Sequence, residues 1–280
     1  MKRILVAGSG SYLGRSFLAY MAQWPEEYQV DAVSTSNGDW RKKDFSGYDA
    51  VYCTAGLAHV RETAENRPLY QQVNCDLACM LAEKSKRSGV RQFIYLSSMS
   101  VYGAASGAVT PETRPAPVNA YGRSKLLAEE RLNALSGDAF TVTLLRPPMV
   151  YGKGCKGNFQ AVLKLVRKLP LFPLCRNARS MLYVDHLSAF VKRMVDDERG
   201  GLVFPQNREY VTTSHMAELI AKDLNKSLYL SRLAGFGVTL LRPVVPMARK
   251  AFGDLYYKNT EELDFSYCTL PFEETIRRSI

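Results

Sequence analysis

A chain of 280 residues, 46% hydrophobic and 23% charged, can bury a sizeable core as one large domain or two modest ones, which excludes a disordered or low-complexity protein. No apolar run reaches the roughly 20 residues of a membrane span, so stable membrane insertion is not expected. The net charge of +10 admits nucleic acid, a membrane surface or an anionic small molecule as partner, but there is no nucleic-acid-binding motif. The basic residues look scattered and clusters such as Arg41-Lys42-Lys43 read as solvated surface, so phosphate-bearing ligands are expected rather than polymers.

The first residues, Met1 to Gly8, read as a buried strand with an apolar run too short for a signal peptide and no small-residue cleavage site, so a cytoplasmic protein is expected. The six cysteines include no Cys-x-x-Cys; Cys75 and Cys79 fall one helical turn apart, and reduced structural thiols are the expectation. His59, His186 and His215 form no metal-ligand spacing, and no metal is expected.

Residues 4–7 predict a strand, followed by Gly8-Ser9-Gly10-Ser11-Tyr12-Leu13-Gly14 and a helix over 13–23. A glycine-rich turn between strand and helix offers backbone N–H groups and the helix dipole to a pyrophosphate, so Gly8, Gly10, Ser11, Tyr12, Leu13 and Gly14 form a candidate dinucleotide turn. A plain tight turn is the competing account. Ser11 stands where a middle glycine is usual, and its hydroxyl can itself bond a phosphate. The second strand, 29–34, ends at Ser34, where NAD-preferring folds carry an acid; with Thr35, Ser36 and Arg41-Lys42-Lys43 nearby, the cofactor reading is NAD(P), leaning to NADP(H). Asp31 reads as a strand residue. Further strands are predicted over 49–54, up to Leu96, and over 140–146, with helices over 68–88 and 120–135.

Asn119 can cap the helix that carries Tyr121, Lys125 and Glu129 at four-residue spacing, which puts phenol and ammonium on one face. Ser98, at the end of the preceding strand, can meet them. A fixed positive charge favours the phenolate, so Tyr121 is expected to have a lowered pKa and to serve as general acid or base, with Ser98 sharing the substrate oxygen and Lys125 holding the Tyr and a ribose hydroxyl. A bare helix-surface contact is the other meaning of this spacing.

Ser98, Tyr121-Gly-Arg-Ser-Lys125 and the glycine-rich start resemble the extended short-chain dehydrogenase/reductases, the NAD-dependent epimerase/dehydratase family, over nearly the whole chain. The resemblance implies an α/β fold, a doubly wound parallel Rossmann sheet over 1–150, with a smaller mixed α/β C-terminal substrate domain over 151–280 interleaved with the last Rossmann elements. It implies that Asp44 holds the adenine, that Ala55-Gly56 lies beneath the cofactor, that Asn74 is a structural residue beside the active site, and that Pro147 lies against the nicotinamide. It also gives Asn158 and Arg179 to the substrate's phosphates; His59 can line the cleft or be a plain loop residue. Helices 70–88 and 120–135 would pair in a homodimer, or simply pack within one subunit.

Arg146-Pro-Pro-Met-Val-Tyr-Gly152 with Lys156-Gly-Asn-Phe159 looks most like bacterial nucleotide-sugar 4-epimerases and 4-ketoreductases of surface-polysaccharide pathways, which implies hydride transfer at a sugar carbon, C4, of a UDP-linked sugar. Dehydratases of the family usually carry Thr-Asp-Glu where Ser98-Met99-Ser100 stands, and methionine and serine cannot do that proton work, so 4,6-dehydration is excluded. A cofactor-binding redox sensor or scaffold without catalysis is the alternative, disfavoured because Tyr121 and Lys125 are both present. Beyond residue 200 a helix over 212–225, capped by Thr213 or Ser214, a short strand over 228–230 and a closing helix over 272–279 are predicted. The apolar, basic stretch 233–252 has an interfacial membrane helix's composition, but Pro243 and Pro246 interrupt it, and packing within the substrate domain is expected.

Overall fold

Runs of fully buried aliphatic and aromatic residues set the architecture, because a strand apolar on both faces must be covered on both. A computed structural model of the chain describes residues 1–103, 107–258 and 264–280; the side chains of Pro246, Met247 and Lys250 lie outside the description. The first strand, Lys2–Ala7, ends in four residues of negligible exposure, and Ala50–Cys53 and Gln92–Leu96 are buried throughout. These pair in a six-stranded sheet in the order 201–203, 141–145, 92–96, 50–53, 2–7, 28–33, every pairing parallel.

Alternation along each strand covers the two faces with different helices. Val51 and Cys53 join a core with Cys75, Ala78, Leu81 and Leu132, while Tyr52, on the opposite face, meets Phe17 of helix Tyr12–Met21 edge-on at 5.1 Å. The sheet is doubly wound, as the resemblance implies.

Register places the site. Ala7 pairs with Val33 and with Cys53, Cys53 with Tyr95, and Leu96 with Leu145, so five strands end level. Gly8, Ser34, Thr54, Ser97 and Arg146 therefore leave the sheet along one edge. Strand order reverses between 2–7 and 50–53, the position at which open α/β sheets open a crevice for ligands.

This sheet and its helices form one compact unit, Met1–Gly103, Arg114–Pro147 and Leu187–Pro205; a second comprises Pro148–His186, Gln206–Ile280 and the described part of Ala104–Thr113. The second contains three parallel two-stranded pairs: Met149–Tyr151 with Met181–Tyr183, Leu171–Pro173 with Tyr229–Ser231, and Gly107–Val109 with Leu255–Tyr257. Its core is partly polar. Tyr151 Oη accepts from Asn207 Nδ2 at 3.0 Å and meets Thr275 Oγ1 at 2.5 Å, while the Asn207 carbonyl oxygen faces His186 Nδ1 at 3.0 Å.

Boundaries shift where caps decide them. Helix Thr213–Asp223 is capped by Thr212, whose hydroxyl accepts from His215 N, and not by Thr213 or Ser214 as expected. The predicted helix over 68–88 is Arg67–Gln71, a π-helical turn Gln72–Asp76, and Leu77–Arg87. In stretch 233–252 the prolines do separate two helices, Arg232–Leu241 and Pro246–Phe252, but Leu233, Phe236 and Leu240 are 86%, 64% and 62% exposed, so the expectation that they pack inside is corrected.

Gly8 has φ +116°, and a Cβ there would stand 2.7 Å from the Ala55 backbone nitrogen. Gly8→Ala is expected to lower unfolding free energy by about 2–4 kcal/mol in urea melts, adding left-handed strain to a backbone clash.

Candidate functional site

The helix Ala120–Asn133 is fixed at its start by two acceptors. Asn119 Oδ1 takes the Gly122 N–H at 2.8 Å, and Glu62 Oε2 takes the Ala120 N–H at 2.8 Å. The second residue of the Tyr-Gly pair has a steric reason, since a Cβ on Gly122 would fall 2.6 Å from the Ser100 carbonyl oxygen. That close approach brings the helix start against the 3₁₀ turn Met99–Tyr102, which Ser98 caps by accepting from Ser100 N at 3.1 Å. Tyr121 thereby comes within hydrogen-bonding reach of the Ser98 hydroxyl.

Lys125 is 3% exposed, one turn further along. Its ammonium donates to the Leu96 carbonyl at 2.7 Å and lies 4.6 Å from the centre of the Tyr95 ring. Burial lowers its pKa to about 8, with Glu129 among the groups that resist the fall. Tyr121 corrects an expectation: its pKa is raised, because burial of the phenol outweighs the Ser98 hydrogen bond, and the Lys125 ammonium is tied to Leu96.

Below this pair lies a buried ionic cluster. Arg146 Nη2 meets Glu129 Oε2 at 2.5 Å and its Nε bonds both carboxylate oxygens at 3.0 and 3.1 Å. Ser97 Oγ donates to Glu129 Oε1, and Arg146 Nη1 donates to Tyr102 Oη at 2.6 Å. Spacing alone puts Glu129 on the Lys125 face and Arg146 at a strand end, but gives neither a partner. Asn74 is fully buried in the π-helical turn: its Oδ1 accepts from Leu57 N at 2.7 Å, its Nδ2 donates to Ser124 Oγ at 3.0 Å and Leu57 O at 3.2 Å, and its carbonyl accepts from Tyr95 Oη at 2.7 Å. It joins the Gly56-Leu57 loop to the Tyr121 helix.

The glycine-rich turn meets a dinucleotide's demands in its own way. Gly8 N and Ser9 N donate to Val33 O, which pins the turn beside the end of the second strand and Ser34. Ser11 caps helix Tyr12–Met21, accepting from Gly14 N at 2.9 Å, and donates to Thr54 Oγ1 at 2.8 Å. The hydroxyl is directed into the protein, which corrects the expectation that it bonds a phosphate. A Cβ on Gly10 would meet nothing within 4 Å, so the turn leaves open space above a helix N-terminus whose dipole favours an anion. Leu13 lies in the first turn of that helix, as does Tyr12. Ala55 is buried with its N–H on Ala7 O, and a Cβ on Gly56 would come 3.3 Å from Lys125 Nζ. These features fit a dinucleotide lying from the glycine-rich turn toward Lys125.

Other expected residues fall less simply. Asp44 is exposed and accepts from Ser46 N and Oγ at 2.9 and 2.7 Å, bonds that lower its pKa. Ser34 Oγ pairs with Ser36 Oγ at 3.1 Å. His59 is exposed at φ +59°. Pro147 is buried and its carbonyl accepts from Met99 N at 2.9 Å, holding the 3₁₀ turn. In the second unit, half-buried Asn158 opens helix Asn158–Lys168. Arg179 is 8% exposed and its Nη1 donates to Gly253 O at 3.0 Å; burial lowers its pKa, so in this arrangement its guanidinium turns inward rather than to a surface phosphate. All six cysteines are free, and among the described residues no cluster of three metal-ligating side chains occurs.

Residues 4–204 match the profile of the NAD dependent epimerase/dehydratase family. The chain belongs to that family. It is 32% identical over 220 residues to a UDP-glucose 4-epimerase of Vibrio cholerae, covering 75% of this chain and 63% of that protein. It is 29% identical over 183 residues to an Escherichia coli O157:H7 N-acetyl-alpha-D-glucosaminyl-diphospho-ditrans,octacis-undecaprenol 4-epimerase, covering 64% of this chain and 54% of that protein. The chain thus spans between half and two thirds of the length of these relatives. In fold it is similar to a dTDP-4-dehydrorhamnose reductase of Bacillus anthracis in complex with NADP, with a TM-score of 0.76, 17% identity, and coverage of 100% of this chain and 98% of that one.

The Lys125 ammonium gives a pH test. Its folded pKa of about 8 lies below the unfolded value near 10.4, so the native state disfavours the charged form at every pH below about 8. As pH rises from about 8 to 10.5 the native state loses the proton first, and stability rises, by about 3 kcal/mol in total. Comparing urea unfolding of the parent and Lys125→Met across this window should show that gain in the parent alone.

Proposed function

We propose that this protein is an NAD(P)-dependent oxidoreductase or epimerase that transfers hydride at a sugar carbon, C4, of a diphosphate-linked sugar, with a UDP-sugar of surface-polysaccharide synthesis as the first substrate to try. The observation that carries the reading is the convergence of Ser98, Tyr121 and Lys125 at the end of the sheet that also bears the glycine-rich turn. Family membership and the Vibrio relative's name support the reaction class.

When bound, a nicotinamide supplies or accepts the hydride. The residues do the rest. Tyr121 Oη removes the proton from the C4 hydroxyl during oxidation and returns it during reduction, while Ser98 Oγ bonds the same oxygen. Lys125 Nζ, held on Leu96 O next to Gly56, presents its remaining N–H groups to a ribose hydroxyl. A raised Tyr121 pKa keeps the phenol protonated at neutral pH, the form that donates to a ketone oxygen, which suits the reductive direction. The paired hydroxyls of Ser34 and Ser36, with no carboxylate at that strand end, suit the 2′-phosphate of NADP(H). Met99 and Ser100 stand where elimination chemistry would need acid and base, so 4,6-dehydration is outside the proposal. Asn158 and Arg179 are assigned to the substrate's diphosphate; Arg179 would have to leave Gly253 O to reach it.

The test pairs cofactor binding with turnover. The purified protein is expected to bind NADPH more tightly than NADH. Tyr121→Phe should cut turnover of a UDP-sugar, or of its 4-keto derivative with NADPH, about 10²–10⁴-fold with cofactor affinity unchanged. Unchanged turnover in that variant would overturn the mechanism, and a tightly retained NAD⁺ would assign the chain to the epimerases.

A further inference from the structure

Two stretches of the second unit carry an unusual charge pattern. Residues 153–184 hold seven lysines and arginines and residues 226–253 hold five, with no aspartate or glutamate in either, so these segments exceed the whole chain's net charge of +10. The scatter read from the sequence is therefore corrected to a concentration.

Helix Arg232–Leu241 lies in the second stretch and is two-sided. Gly235 faces inward, where a Cβ would come 2.1 Å from the Leu174 carbonyl oxygen. Leu233, Phe236, Leu240 and Leu241 fall on the opposite side within an arc of about 140° at 100° per residue, exposed by 86%, 64%, 62% and 49%. Val244, just beyond the helix, is 74% exposed, and Leu171 and Tyr229, paired in register on the two adjoining strands, are 43% and 69% exposed.

The same helix borders a basic cavity of about 370 Å³, lined by Arg176, Arg232 and Arg242 together with Leu174, Phe236 and Thr239. Arg242 Nε is buried with no hydrogen-bond partner among the described residues. An apolar ridge of this size on a soluble domain marks an interaction surface, and an adjoining arginine cavity fixes what it takes: an alkyl group joined to an anion.

We propose that helix Arg232–Leu241 docks this protein in the plane of an anionic lipid bilayer, with Leu233, Phe236 and Leu240 entering the acyl boundary and the Arg176–Arg232–Arg242 cavity receiving a lipid phosphate. Charge complementarity argues for lipid, because the two stretches that form the ridge carry twelve lysines and arginines and no aspartate or glutamate. Exposed Lys164, Arg167, Lys168 and Arg249 add to the attraction of an anionic surface. No helix among the described residues is long and apolar enough to cross a membrane, so the contact is peripheral. The proposal stands apart from the catalytic reading, since it uses neither Tyr121 nor Lys125.

Sedimentation of the full chain with vesicles tests it. Binding is expected to phosphatidylcholine vesicles containing about one-third phosphatidylglycerol and not to phosphatidylcholine alone, weakening as salt rises. Leu233→Ser with Phe236→Ser should reduce the partition coefficient tenfold or more, and Arg232→Gln and Arg176→Gln about fivefold each. Failure of the parent to sediment with anionic vesicles, or equal binding by all variants, would overturn the proposal. So would a lipid-free dimer that dissociates in the Leu233→Ser, Phe236→Ser variant without vesicle binding, which would assign the ridge to a second copy.

Discussion

The ion pair between Glu129 and Arg146 holds the candidate site together. Both side chains are within a few per cent of complete burial, where an unpaired charge is costly enough that removing one partner typically destabilises by about 3–5 kcal/mol. Through Ser97, Tyr102 and the pair itself, the cluster joins the ends of two strands, the helix that carries Tyr121 and the turn that Ser98 caps. It also sits one helical turn from Lys125, so its carboxylate tempers the desolvation of that ammonium. The position of the phenol and the charge of the lysine thus answer to one buried contact.

The second organising constraint is register. Parallel strands of unequal length could end anywhere, yet five of these end level, and each hands a small or polar residue to the same edge. Thr54 shows what this permits: its hydroxyl bridges the carbonyls of Ala7 and Gly8 and accepts from Ser11, tying the glycine-rich turn to the end of a neighbouring strand.

What could be read from the sequence was local. The strand-turn-helix at Gly8–Gly14 and the Tyr121–Lys125–Glu129 spacing are signals that fit within a few turns of chain. Partners distant in sequence were not legible. Ser11 looks free to bond a phosphate until Thr54, 43 residues on, accepts its hydrogen bond. Glu129 shows no destination until Arg146 folds beneath it, and Arg179 reads as a surface cation until Gly253 O accepts from it. The stripe Leu233, Phe236, Leu240 has the same period whether it faces a core or solvent, and only the inward glycine at 235 decides which side is which.

The π-helical turn at Gln72–Asp76 amounts to one residue more than a regular helix would place in that span. The wider turn absorbs the extra residue locally, so the helix keeps its phase on either side. With it, Asn74 reaches both the Leu57 loop and Ser124 while Ala78, Leu81, Ala82 and Ser85 face the core. Deleting a single residue here would restore an ordinary helix with those four positions still facing the core, and would remove the widened turn from which Asn74 meets Leu57 and Ser124. The turn is an insertion whose cost and use are both local: it serves Asn74 and leaves the helical face beyond it in place.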